Sequence, residues 1–249
     1  MITKKIESLQ HPIVKDLVKL RENHSWRDET KRVLIIGKKM VREVASLTPL
    51  NALFVSSLSL YTNDLHPQIL YETSLAVMKK ITGLAAPEGI AAEVLLPPSQ
   101  DLSGKNYLLI LDRIADPGNM GTILRTALAL HWEGAIILDG CVDPFHEKAL
   151  RASMGASFFL PLAHFSESEL ACFLASHNIP CYLAHMQGRS IEEFDTTPPL
   201  ALVLSSESQG SSLKMENICQ KVAIPMKEGV DSLNVAIAGG ILMYKMRHL

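Results

Sequence analysis

The sequence predicts an α/β protein of two domains, the second built on a parallel sheet. Three observations lead there. At 249 residues the chain exceeds one minimal domain and suggests two compact units. The stretch Leu95 to Gly104 gathers the Pro, Ser and Gly expected of a linker. From Asn106 onward, strand and helix patterns alternate at the spacing that gives a parallel sheet covered on both faces. The expected organisation is a small α/β domain over 1–98, a linker over 99–105 and a larger domain over 106–249.

In the front domain, Ile13, Leu17 and Leu20 fall at helical spacing after Pro12, with lysines between them, which predicts a short amphipathic helix. Val33 to Ile36 predict a strand, Lys38 to Ala45 a helix, and Ala52 to Ser56 a second strand. In the second domain the order is strand Tyr107 to Leu111, helix from about Asn119 to His131, strand Ala135 to Asp139 and a helix around Glu147 to Met154. Further strands are expected at Pro180 to Ala184, Leu200 to Ser205 and Val222 to Pro225, with helices at Ser168 to His177 and Val235 to Arg247. The last helix is apolar nearly all round and carries Gly239 and Gly240, so it must be covered on most sides. Each glycine costs about 1 kcal/mol against alanine in a helix. Close approach of another backbone would offset that, either within one chain or between two copies.

Composition narrows the function classes. With 47% hydrophobic and 20% charged residues, the chain is an ordinary globular one. Its longest apolar stretch, Val235 to Tyr244, is far short of the roughly 20 residues a bilayer requires, so no membrane span is expected. The N-terminal residues show no apolar signal region, so a cytoplasmic location is expected. Cys141, Cys172, Cys181 and Cys219 lie far apart without a C-x-x-C pair, as reduced and mostly buried thiols do. Net charge is -2, but residues 1–45 hold 11 Lys and Arg against 6 Asp and Glu. A basic front end on an acidic body can guide a polyanion to one part of a protein, although a solvated helix face explains the charge as well.

Three strand-to-loop junctions carry polar or small residues where a parallel sheet forms its ligand crevice. The first runs from Leu108-Leu109-Ile110-Leu111-Asp112 through Asp116-Pro117-Gly118-Asn119 into a helix containing Arg125; Asn119 is placed to cap that helix. The second is Leu202-Val203-Leu204-Ser205-Ser206-Glu207-Ser208-Gln209-Gly210. The third is Ile224-Pro225-Met226, followed by Ser232-Leu233-Asn234-Val235-Ala236, where Ser232 and Asn234 stand next to a helix start. There is no G-x-G-x-x-G, P-loop, H-E-x-x-H or G-x-S-x-G, so dinucleotide, metal and serine-nucleophile chemistry have no support in the sequence.

In this order the three clusters closely resemble the motifs of the SpoU (TrmH) type of RNA 2'-O-ribose methyltransferases, within the SPOUT class. The match lies in N-x-G-x-x-x-R-T-A from Asn119 to Ala127, the Glu-containing strand and loop from Leu202 to Gly210, and Ile-Pro-Met followed by Ser-Leu-Asn-Val-Ala. It covers 106–249 strongly and the front more loosely, where Ile36 to Glu43 and Pro87 to Ile90 look like the family's small substrate-binding domain. The resemblance implies a C-terminal trefoil knot, a rare exception to unknotted topology. It also implies bound S-adenosyl-L-methionine, structured RNA as substrate (rRNA more than tRNA), and a homodimer formed partly by the final helix.

Carried over residue by residue, the resemblance puts Asn119 and Arg125 at the RNA ribose with Glu207 nearby, and allows Arg125 of one subunit to serve a cofactor held by the other. Leu204, Ser205, Gly210, Ile224, Met226, Ser232, Leu233 and Asn234 would cradle the cofactor. No metal is implied. The family's arginine is often described as a general base, but a guanidinium with a pKa above about 12 is not normally deprotonated in proteins; Arg125 is therefore expected to anchor phosphate or stabilise a developing alkoxide. The second motif usually has glycines where this chain has Ser205 and Ser208. A left-handed backbone there would cost a serine about 1–2 kcal/mol, which leaves open a non-catalytic RNA-binding relative with a weakened cofactor site. A methyltransferase acting on a small molecule is a third reading, which the basic front domain opposes.

Overall fold

The computed structural model describes residues 2–194, 196–206, 210–227, 229 and 232–247. It divides into two compact units, Met1–Pro98 with Phe145–Gly155, and Ser99–Pro144 with Ala156–Leu249.

The first unit runs β1 (Ile2–Ile6), α1 (Pro12–Glu22), α2 (His24–Thr30), β2 (Arg32–Ile36), α3 (Lys38–Ala45), β3 (Leu50–Val55), β4 (Ile69–Thr73), α4 (Leu75–Thr82) and β5 (Ile90–Leu95). Its sheet has the order β1-β4-β3-β5-β2 and is mixed, because β5 runs antiparallel to both neighbours. The amphipathic helix read from sequence is α1: Pro12 sits in its first turn and the His11 ring accepts from the Ile13 N–H at 3.2 Å. Its Val14, Leu17 and Leu20 are fully buried in one cluster with Phe54, Tyr71, Val77 and Ile81. Phe54 and Tyr71 stack there with ring centroids 5.0 Å apart. The helix Glu147–Ser153, from much later in the chain, packs on β2 as part of this unit.

The second unit holds β6 (Tyr107–Asp112), α5 (Pro117–Ala129), β7 (Gly134–Leu138), β8 (Leu162–Phe165), α7 (Glu167–Ser176), β9 (Cys181–Ser190), β10 (Leu200–Ser205), α8 (Leu213–Ile218), β11 (Gln220–Ala223) and α9 (Val235–Met246), with α6 being Glu147–Ser153 of the first unit. Its sheet, ordered β11-β9-β10-β6-β7-β8, is parallel at every pairing. Every residue of β6 is buried, as expected for a central strand covered on both faces. Leu108 and Ile110 join Leu170 and Leu174 of α7 and Met215 of α8 in one core cluster. The other face is covered by α5 and α9, which pack against each other, and Trp132 Nε1 donates to the Met243 carbonyl at 3.3 Å.

Several boundaries differ from the sequence expectation. The stretch expected to be a linker, 99–105, is tied to the second unit: Gln100 N–H donates to the Leu162 carbonyl at 2.8 Å, and Leu102 is 1% exposed in the core. Hydrophobic periodicity cannot register such a single apolar anchor among turn residues. The second unit is also not continuous, since 145–155 leaves it for the first. The helix expected from Asn119 begins at Pro117, with Asp116 as its cap: Asp116 Oδ1 accepts from Asn119 N–H at 2.7 Å. Proline at the first helical position, with its fixed φ, moves the cap one residue before it.

Among the described residues no helix is long and apolar enough to cross a membrane, and no group of His, Cys, Asp or Glu could hold a metal ion. The four thiols are free; Cys181 and Cys219 are buried, Cys141 is half-buried and Cys172 is exposed.

One contact controls the edge of the second sheet. Between Lys221 and Val222 the pairing of β11 jumps from Leu183 to Arg189, so residues 184–188 of β9 swing out of register. A methyl group at Gly188 would sit 2.6 Å from Val222 N and 2.7 Å from Lys221 C, so only glycine lets the two backbones pass. Gly188→Ala should therefore destabilise the protein by about 1–3 kcal/mol, read as a fall in melting temperature; an unchanged melt would show that the strands are not held this closely.

Candidate active site

The C-terminal ends of β9, β10 and β11, together with the start of α9, enclose a cavity of about 520 Å³. Strand C-termini are where an open parallel sheet forms its crevice, and the volume lies within the roughly 300–1,000 Å³ of small-molecule sites. Leu204, Ile224, Met226, Leu233 and Leu242 give apolar walls, while Ser205, Ser211, Ser232, His185 and Gln187 supply polar groups. Gly239 makes room for one wall: a methyl there would lie 2.5 Å from Leu204 Cδ1. The glycine pair in α9 is thus used within the chain, with Gly240 facing Thr126 of α5.

Beside the cavity, the starts of α5 and α9 are joined through side-chain amides. Asn234 caps α9, its Oδ1 accepting from Ala236 and Ile237 N–H at 3.0 and 3.4 Å, while its Nδ2 donates to Asn119 Oδ1 at 3.0 Å. Asn119 is free to accept because Asp116 has taken over the capping of α5. Gly118 belongs to the same turn, since a methyl on it would approach Asp116 Oδ1 to 2.9 Å. Arg125 lies six residues beyond Asn119, about 9 Å along the helix axis at 1.5 Å per residue. It is exposed and makes no ion pair among the described residues.

A buried carboxylate supports the second loop. Asp112, 1% exposed at the end of β6, is the register partner of Ser205 at the end of β10. Ser205 Oγ donates to Asp112 Oδ2 at 3.3 Å, and Arg113 Nε stands 3.5 Å from Oδ1. Burial raises the Asp112 pKa above the usual carboxylate value, against the opposing pull of the Arg113 charge and of hydrogen bonds from Ser205 and the Ser212 backbone. Ser205 lies in extended strand, outside the left-handed region, so the strain expected for a serine there does not arise. Nearby, burial pushes the Cys141 thiol up to about 11; it accepts from Ile114 N–H and donates to the Leu111 carbonyl. A thiol held protonated in this way is a structural group rather than a nucleophile.

The SpoU rRNA Methylase family model matches residues 106–244, the whole span that builds the cavity and the amide pair. The chain belongs to this family. As a SpoU-family protein it is 30% identical over 98% of its length to a 23S rRNA (guanosine(2553)-2'-O)-methyltransferase, RlmP of Bacillus subtilis, covering 99% of that protein. It is 32% identical over 97% of its length to an uncharacterized tRNA/rRNA methyltransferase of Synechocystis, covering 93% of it. Its fold matches an rRNA methyltransferase from Sinorhizobium meliloti with a TM-score of 0.89 at 27% identity, over 99% of this chain and 98% of that one. The AdoMet-bound form of the Sinorhizobium enzyme gives 0.87 over 98% and 97%.

Of the residues singled out from the SpoU motifs, Leu204, Ser205, Gly210, Ile224, Met226, Ser232 and Leu233 meet in the one cavity. Asn234 and Asn119 form the amide pair beside it, and Arg125 stands apart on the outer face of α5. Glu207 and Ser208 lie outside the described residues. Sequence reasoning missed the wall formed by Ala184, His185, Met186 and Gln187, for which Gly188 was the only available signal, and it missed Asp112. Asn234→Ala should cost about 0.5–2 kcal/mol through loss of the α9 cap, measurable by denaturant unfolding; a stability unchanged within a few tenths would refute the capping role.

Proposed function

We propose that this protein transfers a methyl group from S-adenosyl-L-methionine to a ribose 2'-hydroxyl in structured RNA, ribosomal RNA before transfer RNA. The observation that carries the reading is the convergence of the second and third motifs on one cavity of suitable size. The residues present fit the cofactor. Leu204, Ile224, Met226 and Leu233 would pack against its apolar parts, while Ser205, Ser232 and the backbone at Gly210 offer hydrogen bonds to its polar ones. When bound, it supplies an electrophilic methyl on a sulfonium centre. Ser205 is unstrained, which favours the catalytic reading over the non-catalytic relative.

The protein's own contribution is placement and charge. Holding a hydroxyl in line with a methyl donor can supply much of the barrier reduction. Arg125 is the candidate for the RNA side: exposed and unpaired among the described residues, it is available to a phosphate or a developing alkoxide. Asn119, fixed by Asn234, would orient the ribose, and Glu207 completes the proposed set. In the first unit Lys15 and Lys19 of α1 and Lys38, Lys39 and Arg42 of α3 are exposed, a distribution suited to an RNA backbone. The proposed functional division is 1–98 for RNA and 106–249 for methyl transfer, with 145–155 packing in the first unit.

The proposal includes a homodimer, a trefoil knot and a cytoplasmic location, the compartment where such an RNA and the cofactor meet. Ile237, Ile241 and Tyr244 of α9 are 56%, 41% and 67% exposed at i, i+4, i+7 spacing, an apolar stripe of the kind a second copy covers.

Arg125→Ala should abolish methylation of ribosomal RNA while leaving the melting temperature unchanged and the calorimetric affinity for S-adenosylmethionine within about twofold, because the side chain touches neither core nor cavity. Near-normal turnover in that variant would refute the role of Arg125. Absence of saturable S-adenosylmethionine binding to the unaltered protein would refute the enzyme reading itself.

A further inference from the structure

Two described stretches that follow β10, Ser205–Ser206 and Gly210–Ser212, are fastened to the same buried residue. In the first, Ser206 N–H donates to the Asp112 carbonyl at 3.1 Å and Ser205 Oγ donates to its carboxylate. In the second, the Ser212 backbone N–H donates to that carboxylate. Within them, Ser206, Gly210 and Ser211 all face the cavity. Asp112 does not line it. We propose that Asp112 is a positioning residue for the cofactor site, holding Ser205, Ser206 and the Gly210–Ser212 stretch where they can bind S-adenosylmethionine. The inference rests on the cofactor reading given above.

The chemistry favours an ionised carboxylate at this point. Its side-chain neighbours are all donors: the Ser205 hydroxyl, the Ser212 N–H and Arg113 Nε. A carboxylate only accepts and can satisfy them together, whereas an amide or a protonated acid would turn a donor toward a donor. Because burial raises the Asp112 pKa, protonation on acidification begins above the ordinary carboxylate range, and cofactor affinity should fall over that window. Other titratable groups are near. Glu167 stands 3.8 Å from Arg113 Nη2; the Cys141 thiol, pushed up to about 11, titrates above the window; and His185 lines the cavity.

The test is calorimetric titration of the full chain with S-adenosylmethionine across pH, using Asp112→Asn, Ser205→Ala and the double variant. Ser205→Ala should weaken binding about tenfold in the wild-type background, in line with loss of a hydrogen bond to a charged group, and less than about twofold in the Asp112→Asn background. The acid limb of the affinity profile should vanish in Asp112→Asn and persist in Glu167→Gln and His185→Asn. Unchanged affinity in the Asp112 and Ser205 variants, additive losses, or an acid limb that survives Asp112→Asn would each overturn the inference. If the Asp112 variants fail to fold, the affinity profile decides: an acid limb that persists in Glu167→Gln and His185→Asn supports the inference, and an affinity that stays flat on acidification overturns it. An unaltered protein that binds no S-adenosylmethionine overturns the functional reading and this inference with it, whereas a normal wild type beside unaffected variants overturns the inference only.

Discussion

The constraint behind the rest of the second unit is the in-register pairing of β6 with β10 at the centre of a sheet buried on both faces. Neither strand can carry an unpaired polar side chain along its length, because burying one without a partner costs on the order of several kcal/mol. Polar chemistry is therefore confined to the strand ends. Asp112 and Ser205 are the last residues of the two strands, partners in register and in a hydrogen bond. The cavity, the second loop and the start of α5 are all placed by where those two strands stop.

Much of this was legible in the sequence because the signals were local. Runs such as Leu108 to Leu111 can only be interior strands, and the polar residues after them mark the crevice side. The second and third motifs stand out by their position after a strand, while the resemblance to the SpoU family supplied which of their residues face the cavity. The missing pieces were long-range. The excursion of β9 at residues 184–188 is dictated by the backbone of β11, more than thirty residues later, and nothing in Ala184 to Gln187 announces it. β5 runs antiparallel in the first sheet because of its partners, not because of its composition. Asp112 read as a strand terminus, since two of its three donors, Ser205 and Ser212, come from about a hundred residues later in the chain.

The last helix shows how a pattern can be read correctly and still leave two explanations open. An all-round apolar helix with two adjacent glycines was expected to be covered on most sides. Within the chain, Gly239 accommodates Leu204 and Gly240 faces Thr126, so the pair is accounted for by packing on β10 and α5. The stripe of Ile237, Ile241 and Tyr244 is what remains uncovered. Sequence alone could not divide the helix into these two faces, because every position from Val235 to Met243 is similarly apolar or small.

The helix Glu147–Ser153 bears on how the molecule can be taken apart. Since residues 145–155 belong to the first unit while both flanking segments belong to the second, the polypeptide passes between the units three times. An amino-terminal fragment ending at Pro98 would lack one of its own helices and leave that side of β2 bare. Natural recombination or engineered grafting that exchanges the front piece must therefore also exchange this eleven-residue insert, and the joint between the two modules is not a single cut in the gene.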